Sequence, residues 1–558
     1  MRNINKVKIY FILILGMLAS GSCKKFLDMP LTTELETNYF IDENRVQRGV
    51  GSIYASVSNI YGANLGSEIS QNGVTIHPLW LLQGDDLTTS GSGSNAEYEA
   101  FSGFSPSDAR VEALWQKFYF LIARANFILD KLDDPEVSNI FKTPGLKDNN
   151  RGEALFLRAW VNYKLWDMFR KAPLQSERVH SIDEAVIKPS QGFELLDAAI
   201  ADLEEAATLL PESWEGMNKG RVFKNSANGL LVKCYVLRAC YASAYGGDQA
   251  QDYAKAVAAF EKISNLSAIE GVPYGDNFDY RTENNMESLF EYQASHGTIS
   301  DNPWLDNDIG SPVGSFGAMY VGSFGAMYHY FDSHWGNYGS GGGSIGPTSK
   351  LRAMFDPQDP RVDETFKLAQ NVDNVGGKLW WLGVEWSYFD GYQFVKYING
   401  ERGDRYDVDF QIMSSNNPRI LRLADVKLLA AEAYLKTGDP VNALKQVNDV
   451  RKRARLSTPN GVESPVPADY SSVDMQQIMD ERLLELAGEE NMRWSDLRRW
   501  HAAGYINLGA WTAADFGYPY NANLFTFDAT KHLLFPIPSS EMTKNPLLMA
   551  DGNNPGYN

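Results

Sequence analysis

The sequence predicts a mainly α fold, in which tetratricopeptide-like helix pairs form a scaffold and long loop-rich excursions interrupt it. Three observations predict this. Residues 425–454 carry a helix–turn–helix hairpin, several other amphipathic stretches also come in pairs, and Gly-, Ser- and aromatic-rich segments separate them.

The hairpin comes first because its punctuation is complete. Over 425–436, Val426, Leu429, Ala430 and Ala433 follow the i, i+3, i+4, i+7 rule. Thr437-Gly438-Asp439-Pro440 then supplies a helix stop, an N-cap and a proline at the first helical position. Ala443, Val447, Val450 and Ala454 mark the buried stripe of the second helix. Tyr434, Ala443 and Val447 have tetratricopeptide-repeat spacing. Residues 114–132 and 152–169 read as another pair. Residues 193–210, 227–244 and 253–264 read as further helices, and 475–500 as a long helical stretch broken near Gly488. The pairs are scattered rather than tandem, so a single interrupted scaffold fits better than an open solenoid.

Two excursions stand out, and loops of this length are where binding tends to reside. One spans 83–107 and is rich in Gly, Ser and Asp. The other spans 295–347, contains a Gly-Ser-Gly-Gly-Gly run at 339–343, and repeats VGSFGAMY without change at 313–320 and 321–328. Loops absorb such lengthening at small entropic cost.

Charge and cysteine content remove several function classes. A formal net charge of −19 argues against nucleic acid, which needs concentrated Lys and Arg. The one dense basic run, 451–455, falls at a helix end, where cations complement the helix dipole, and is expected to be a solvated face. Cys234 and Cys240 lie six residues apart on one predicted helix, about 9 Å along its axis and on different faces. They cannot bridge there and read as buried thiols. Cys23 is different. Arg2, Lys6 and Lys8, then the apolar run 9–18, then Ala19-Ser20-Gly21-Ser22 precede it, as in a lipoprotein signal that makes Cys23 the lipidated first residue. Ser20 stands where such signals usually have Leu. The apolar run is about ten residues, short of the roughly 20 that span a bilayer.

Four separated motifs resemble one family. CKKFLD from Cys23, RLADVKLLAAEAY at 422–434, DERLLELAGEENMRWSDLRRW at 480–500, and LFPIPSSE at 534–541 with NP at 545–546 and NPGY at 554–557 are similar to SusD/RagB-type nutrient-binding lipoproteins of the Bacteroidetes outer membrane. The resemblance implies a signal peptide at 1–22, then SusD-like regions at 23–250 and 251–558 joined in one compact fold. It implies a lipid-anchored protein facing the cell exterior, docked as a lid on a SusC-like TonB-dependent barrel and binding glycan or, in some members, peptide. After Cys23 the chain reads Lys24-Lys25 and lacks the acidic run associated with surface export in these bacteria.

A sugar receptor needs exposed aromatic platforms with Asp, Asn or Gln beside them, because sugars present flat C–H faces ringed by hydroxyls. The candidate ligand-binding residues are Asp85, Asn95 and Tyr98 in the first excursion, Trp304, Tyr328 and Trp335 in the second, and Trp381 and Trp386 beyond it. Trp494 and Trp500, inside the helical motif, are expected to be core. There is no His-Glu-x-x-His and no Gly-x-Ser-x-Gly motif. Asp306-Asn-Asp-Ile-Gly310 lacks the later acidic ligand of a calcium loop. No catalytic residue, metal or cofactor is therefore assigned. Glycan capture is the leading expectation, with peptide capture and a surface glycoside hydrolase as alternatives.

Overall fold

The computed structural model describes residues 39–61, 78–89, 93–293, 345–368, 392–394, 396, 417–490, 492–518 and 522–558. Ten helices of eleven residues or more carry the described fold: α1 (Glu43–Tyr61), α2 (Ala109–Asp133), α3 (Leu146–Phe169), α4 (Glu194–Leu209), α5 (Lys224–Cys240), α6 (Gln249–Phe260), α7 (Leu423–Lys436), α8 (Pro440–Leu456), α9 (Met475–Leu486) and α10 (Met492–Ala502). From α1 to α8 each helix packs against the next, so the pairs form one continuous stack. That stack passes directly from α6 to α7, although more than 160 residues of chain separate them. The excursion is thus inserted into the scaffold without interrupting its packing.

The α7–α8 hairpin forms as its sequence dictates. Gly438 takes φ +83°, and the Asp439 N–H donates to the Tyr434 carbonyl at 2.8 Å. The Asp439 carboxylate then caps α8 by accepting from Asn442 N at 3.0 Å, with Pro440 at the first position. Tyr434 packs edge-on against Phe260 of α6, with ring centroids 6.1 Å apart. The long stretch at 475–500 breaks as expected. α9 ends at Leu486, Gly488 adopts φ +68°, and α10 starts at Met492. Cys234 and Cys240 are free, buried and both on α5, while Trp494 and Trp500 are core.

Two features differ from expectation. α1 is not anticipated, although Val46, Val50, Ile53, Val57 and Ile60 make a helical stripe that is wholly buried. The basic run is not a solvated face. Arg451 and Arg453 are buried, paired with Glu481 at 2.6 Å and with Glu287 at 2.6 Å. Other elements cover the end of α8, so these cations neutralise buried carboxylates.

Strands are few and short. β1 (Leu87–Thr89) pairs antiparallel with β3 (Ile345–Pro347), β2 (Ser288–Glu291) with β6 (Arg419–Arg422), and β4 (Phe366–Leu368) with β5 (Tyr392–Phe394). The first two pairs join distant parts of the chain, whereas β4 and β5 pair within the insertion between α6 and α7. The core is one cluster from Val46 to Tyr557. Its C-terminal end is sealed by amides. Asn554 donates to the Phe169 and Phe535 carbonyls at 3.0 and 2.7 Å, and Asn553 exchanges two bonds with Ile537 at 2.7 and 2.8 Å.

Candidate functional site

The roots of the excursions converge on the turn between α9 and α10. Arg422, at the end of β6, is the hub. Its guanidinium reaches Glu287 at 2.7 Å, Glu485 at 2.6 Å and Glu489 at 2.7 Å, all fully buried. Arg361 pairs with Glu481 at 2.6 Å and Glu485 at 3.2 Å, and Arg453 also pairs with Glu485. Burial opposes ionisation of Glu485, but Arg453, Arg422 and Arg361 outweigh it and hold the carboxyl at about 2. Lys396 donates to Glu489 at 2.7 Å and to the Ala487 carbonyl at 2.9 Å. Burial brings its ammonium down to about 8 despite that partner.

The first excursion is fastened to the same turn. Asp85 pairs with Lys350 at 2.6 Å and with Arg493 of α10. Burial works against its charge, yet Arg493 and Lys350 keep it at about 2. Its neighbour Asp86 accepts from Gly488 N at 2.8 Å. Burial pushes Asp86 up to about 6, the Gly488 bond works against this, and the Asp85 charge adds to it. Thr348 locks β3 onto both, donating N–H to the Asp86 carbonyl at 3.0 Å and its hydroxyl to the Asp85 carbonyl at 2.8 Å. Phe394 of β5 lies over Gly488, so close that a Cβ there would fall 2.2 Å from its ring.

These placements bear on the candidate residues one by one. Asp85 and Tyr98, expected to face ligand, are turned inward. Asp85 is fully buried in its ion pairs, and the Tyr98 hydroxyl donates to the Asp108 carboxylate while Arg110 sits 4.8 Å from its ring centroid. The excursion 83–107 has no Lys or Arg of its own, so Asp85 takes its counter-ions from Arg493 of α10 and from Lys350 beside β3. Asn95 lies on the helix Gly93–Glu99. Trp304, Tyr328, Trp335, Trp381 and Trp386 lie outside the described residues, as do the duplicated octapeptide and residues 306–310. The sequence reading did not anticipate Arg422, Lys396 and Gly488 as fastenings. The density of Glu and Arg over 480–499 marks only the turn to which they fasten.

Chemically this region is a base. Among the described residues its carboxylates, Asp86 excepted, are paired with cations, and no group of three or more His, Cys, Asp or Glu is placed to hold a metal. No helix among them is long and apolar enough to cross a membrane.

Comparison with known proteins agrees with this architecture. The model of the SusD family matches residues 383–557, and that described as "Starch-binding associating with outer membrane" matches 83–236. SusD-like protein P2 of Formosa agariphila is 25% identical, covering 99% of this chain and 100% of its own. The chain belongs to the SusD/RagB-like family. Two solved SusD-like folds align along nearly their whole length. A "Laminarin binding SusD-like protein" gives a TM-score of 0.62 at 22% identity, covering 92% of this chain and 100% of that one. A structure solved with xylogluco-oligosaccharide gives 0.66 at 19% identity, covering 90% and 97%. The mainly helical scaffold is therefore the family's fold, and its two matched regions contain the fastening residues Asp85, Arg422, Glu485 and Arg493.

Proposed function

We propose that this SusD/RagB-like chain is a non-enzymatic glycan receptor. Held at the outer membrane by a lipid on Cys23 and facing outward, it captures oligo- or polysaccharide and hands it to a SusC-like TonB-dependent barrel. The observation that carries the reading is the convergence of excursion roots on one buried ionic base. The roots flank the segments containing Trp304, Tyr328, Trp335, Trp381 and Trp386, which we assign as the stacking platforms. A fixed root lowers the entropy lost when such a loop orders around ligand. The laminarin-binding and xylogluco-oligosaccharide-bound relatives support glycan as the ligand class. Asp85 and Tyr98 contribute by fixing the first excursion, and Asn95 remains its candidate ligand contact.

The test is affinity electrophoresis of the mature chain without Cys23, through gels containing plant, host and microbial polysaccharides. Retardation by at least one polymer, without shortening of that polymer, is the expected result. Replacing Trp304, Trp335, Trp381 and Trp386 together by Ala should then weaken the retardation at least tenfold. Free migration through every gel would refute glycan capture and leave peptide as the ligand class, to be sought on the chain purified with its barrel.

A further inference from the structure

A cleft of about 290 Å³ opens between the α4–α5 connection, the residues that follow α6 and the turn leading into β2. None of its lining residues belongs to the α9–α10 turn or to the Asp85–Asp86 fastening. Its walls are built before any ligand arrives. The Trp214 indole N–H donates to the Val222 carbonyl at 2.8 Å, and the Arg221 guanidinium lies 4.2 Å from the indole centroid. Arg221 is itself held by the buried Glu153. Asn284 and Gln293 exchange two amide bonds at 2.8 and 2.9 Å, and Gly220, at φ +97°, approaches Gln293 so closely that a Cβ would meet it at 2.5 Å.

The surfaces offered by this frame are of two kinds. Trp214 and Phe223 are half-buried and Met286 is 61% exposed, giving an apolar wall. The side chains of Ser213, Asn265 and Ser288 line the same space and make no hydrogen bond among the described residues, so their hydroxyls and amide are available. An aromatic wall facing directed hydroxyl and amide groups suits a sugar ring. The volume stands at the lower end of the range for small-molecule sites, matching one or two rings. The lining charges balance, Glu212 and Glu291 against Lys219 and Arg221. Arg221 is spent on Glu153, and Glu291 on Arg419 at 3.2 Å. Glu212 is likewise paired with Lys224, so a sugar acid or sulfate would find no free guanidinium fork in the cleft, only the single Lys219 ammonium.

We infer that this cleft is a second saccharide site, which takes a short uncharged sugar independently of the aromatic loops. The inference rests on the glycan reading above, and the experiment separates the two. A microarray of neutral laminari-, cello-, malto-, manno- and xyloglucan oligosaccharides, from disaccharide upward, is probed with five proteins. They are the mature chain, the loop variant with Trp304, Trp335, Trp381 and Trp386 replaced by Ala, Trp214→Ala, Met286→Arg, and the loop variant carrying Met286→Arg as well. Met286 makes no hydrogen bond and is largely exposed, so this variant keeps the fold even if Trp214→Ala loosens the connection.

The loop variant should keep its signal on a di- or trisaccharide, and adding Met286→Arg should lower that signal at least tenfold. If Met286→Arg and Trp214→Ala are folded and bind every oligosaccharide as the mature chain does, the cleft is not a site, while the loop reading stands. If the loop variant binds everything normally and Trp214→Ala does not, the cleft stands and the loop reading falls. Silence of the mature chain on all probes refutes both.

Discussion

Asp85 and Asp86 are neighbours that the fold drives in opposite directions. Arg493 and Lys350 keep the first ionised, while burial holds the second near pH 6 against an ordinary value of 3.8. The folded state therefore takes up a proton that the unfolded chain does not between about pH 4 and 6. An ionised Asp86 costs stability above pH 6, and that cost disappears as pH falls through 6 towards 4. Two pH units correspond to about 3 kcal/mol at most. Asp86→Asn, which still accepts from Gly488 N, should stabilise the chain by roughly 1–2 kcal/mol at pH 7.5. The gain should fall to about a third of that near pH 4.5, in urea titrations at both pH values. An equal shift at the two pH values would show that burial does not control this carboxyl. Glu485 has the opposite sign. Its depressed value makes its contribution complete above pH 4.5, fading only as pH falls through about 2. Glu485→Gln leaves Arg422, Arg453 and Arg361 short of a counter-charge. Breaking such a buried network costs about 3–5 kcal/mol, read as a lower urea midpoint at pH 7.

At the scale of elements, the turn between α9 and α10 joins packing to function, and Gly488 is its narrowest point. Its φ of +68° disfavours any Cβ, and Phe394 occupies the space one would need. Gly488→Ala should therefore cost about 2–4 kcal/mol, through strain and displaced packing together. Because Phe394 belongs to β5 and Asp86 adjoins β1, amide exchange should rise first in β1, β3 and β5 and leave α7 and α8 protected. Uniform loss of protection would mean that the turn is not a separate fastening. The same elements show what sequence could reveal. Gly438, Asp439 and Pro440 act locally, so the α7–α8 hairpin was legible within a few residues. The stripe of α1 was equally periodic and could have been read. The fate of Arg451 and Arg453 could not, because their partners Glu481, Glu287 and Glu485 come from α9 and from the turn just before β2. Nor could the inward turn of Asp85 and Tyr98, since composition alone does not separate a carboxylate aimed at sugar from one aimed at Arg493.

For the whole molecule, α1 to α8 form one continuous stack, with its excursions rooted at one turn. Such a design suits a ligand longer than any single contact. Each aromatic platform stacks weakly on a sugar ring, so useful affinity must come from several contacts engaged along one chain, the later ones at the high effective concentration set by the first. Affinity should then rise steeply with oligosaccharide length. A hexasaccharide of the retarding polymer should bind at least tenfold more tightly than its disaccharide, about 1.4 kcal/mol by calorimetry. In the loop variant the length dependence should collapse to a constant weak affinity, because only the Trp214 cleft, with room for one or two rings, would remain. A flat dependence in the unaltered chain would mean that one compact pocket carries the binding. The distributed platform over 295–347 and 380–392 would then have to be abandoned.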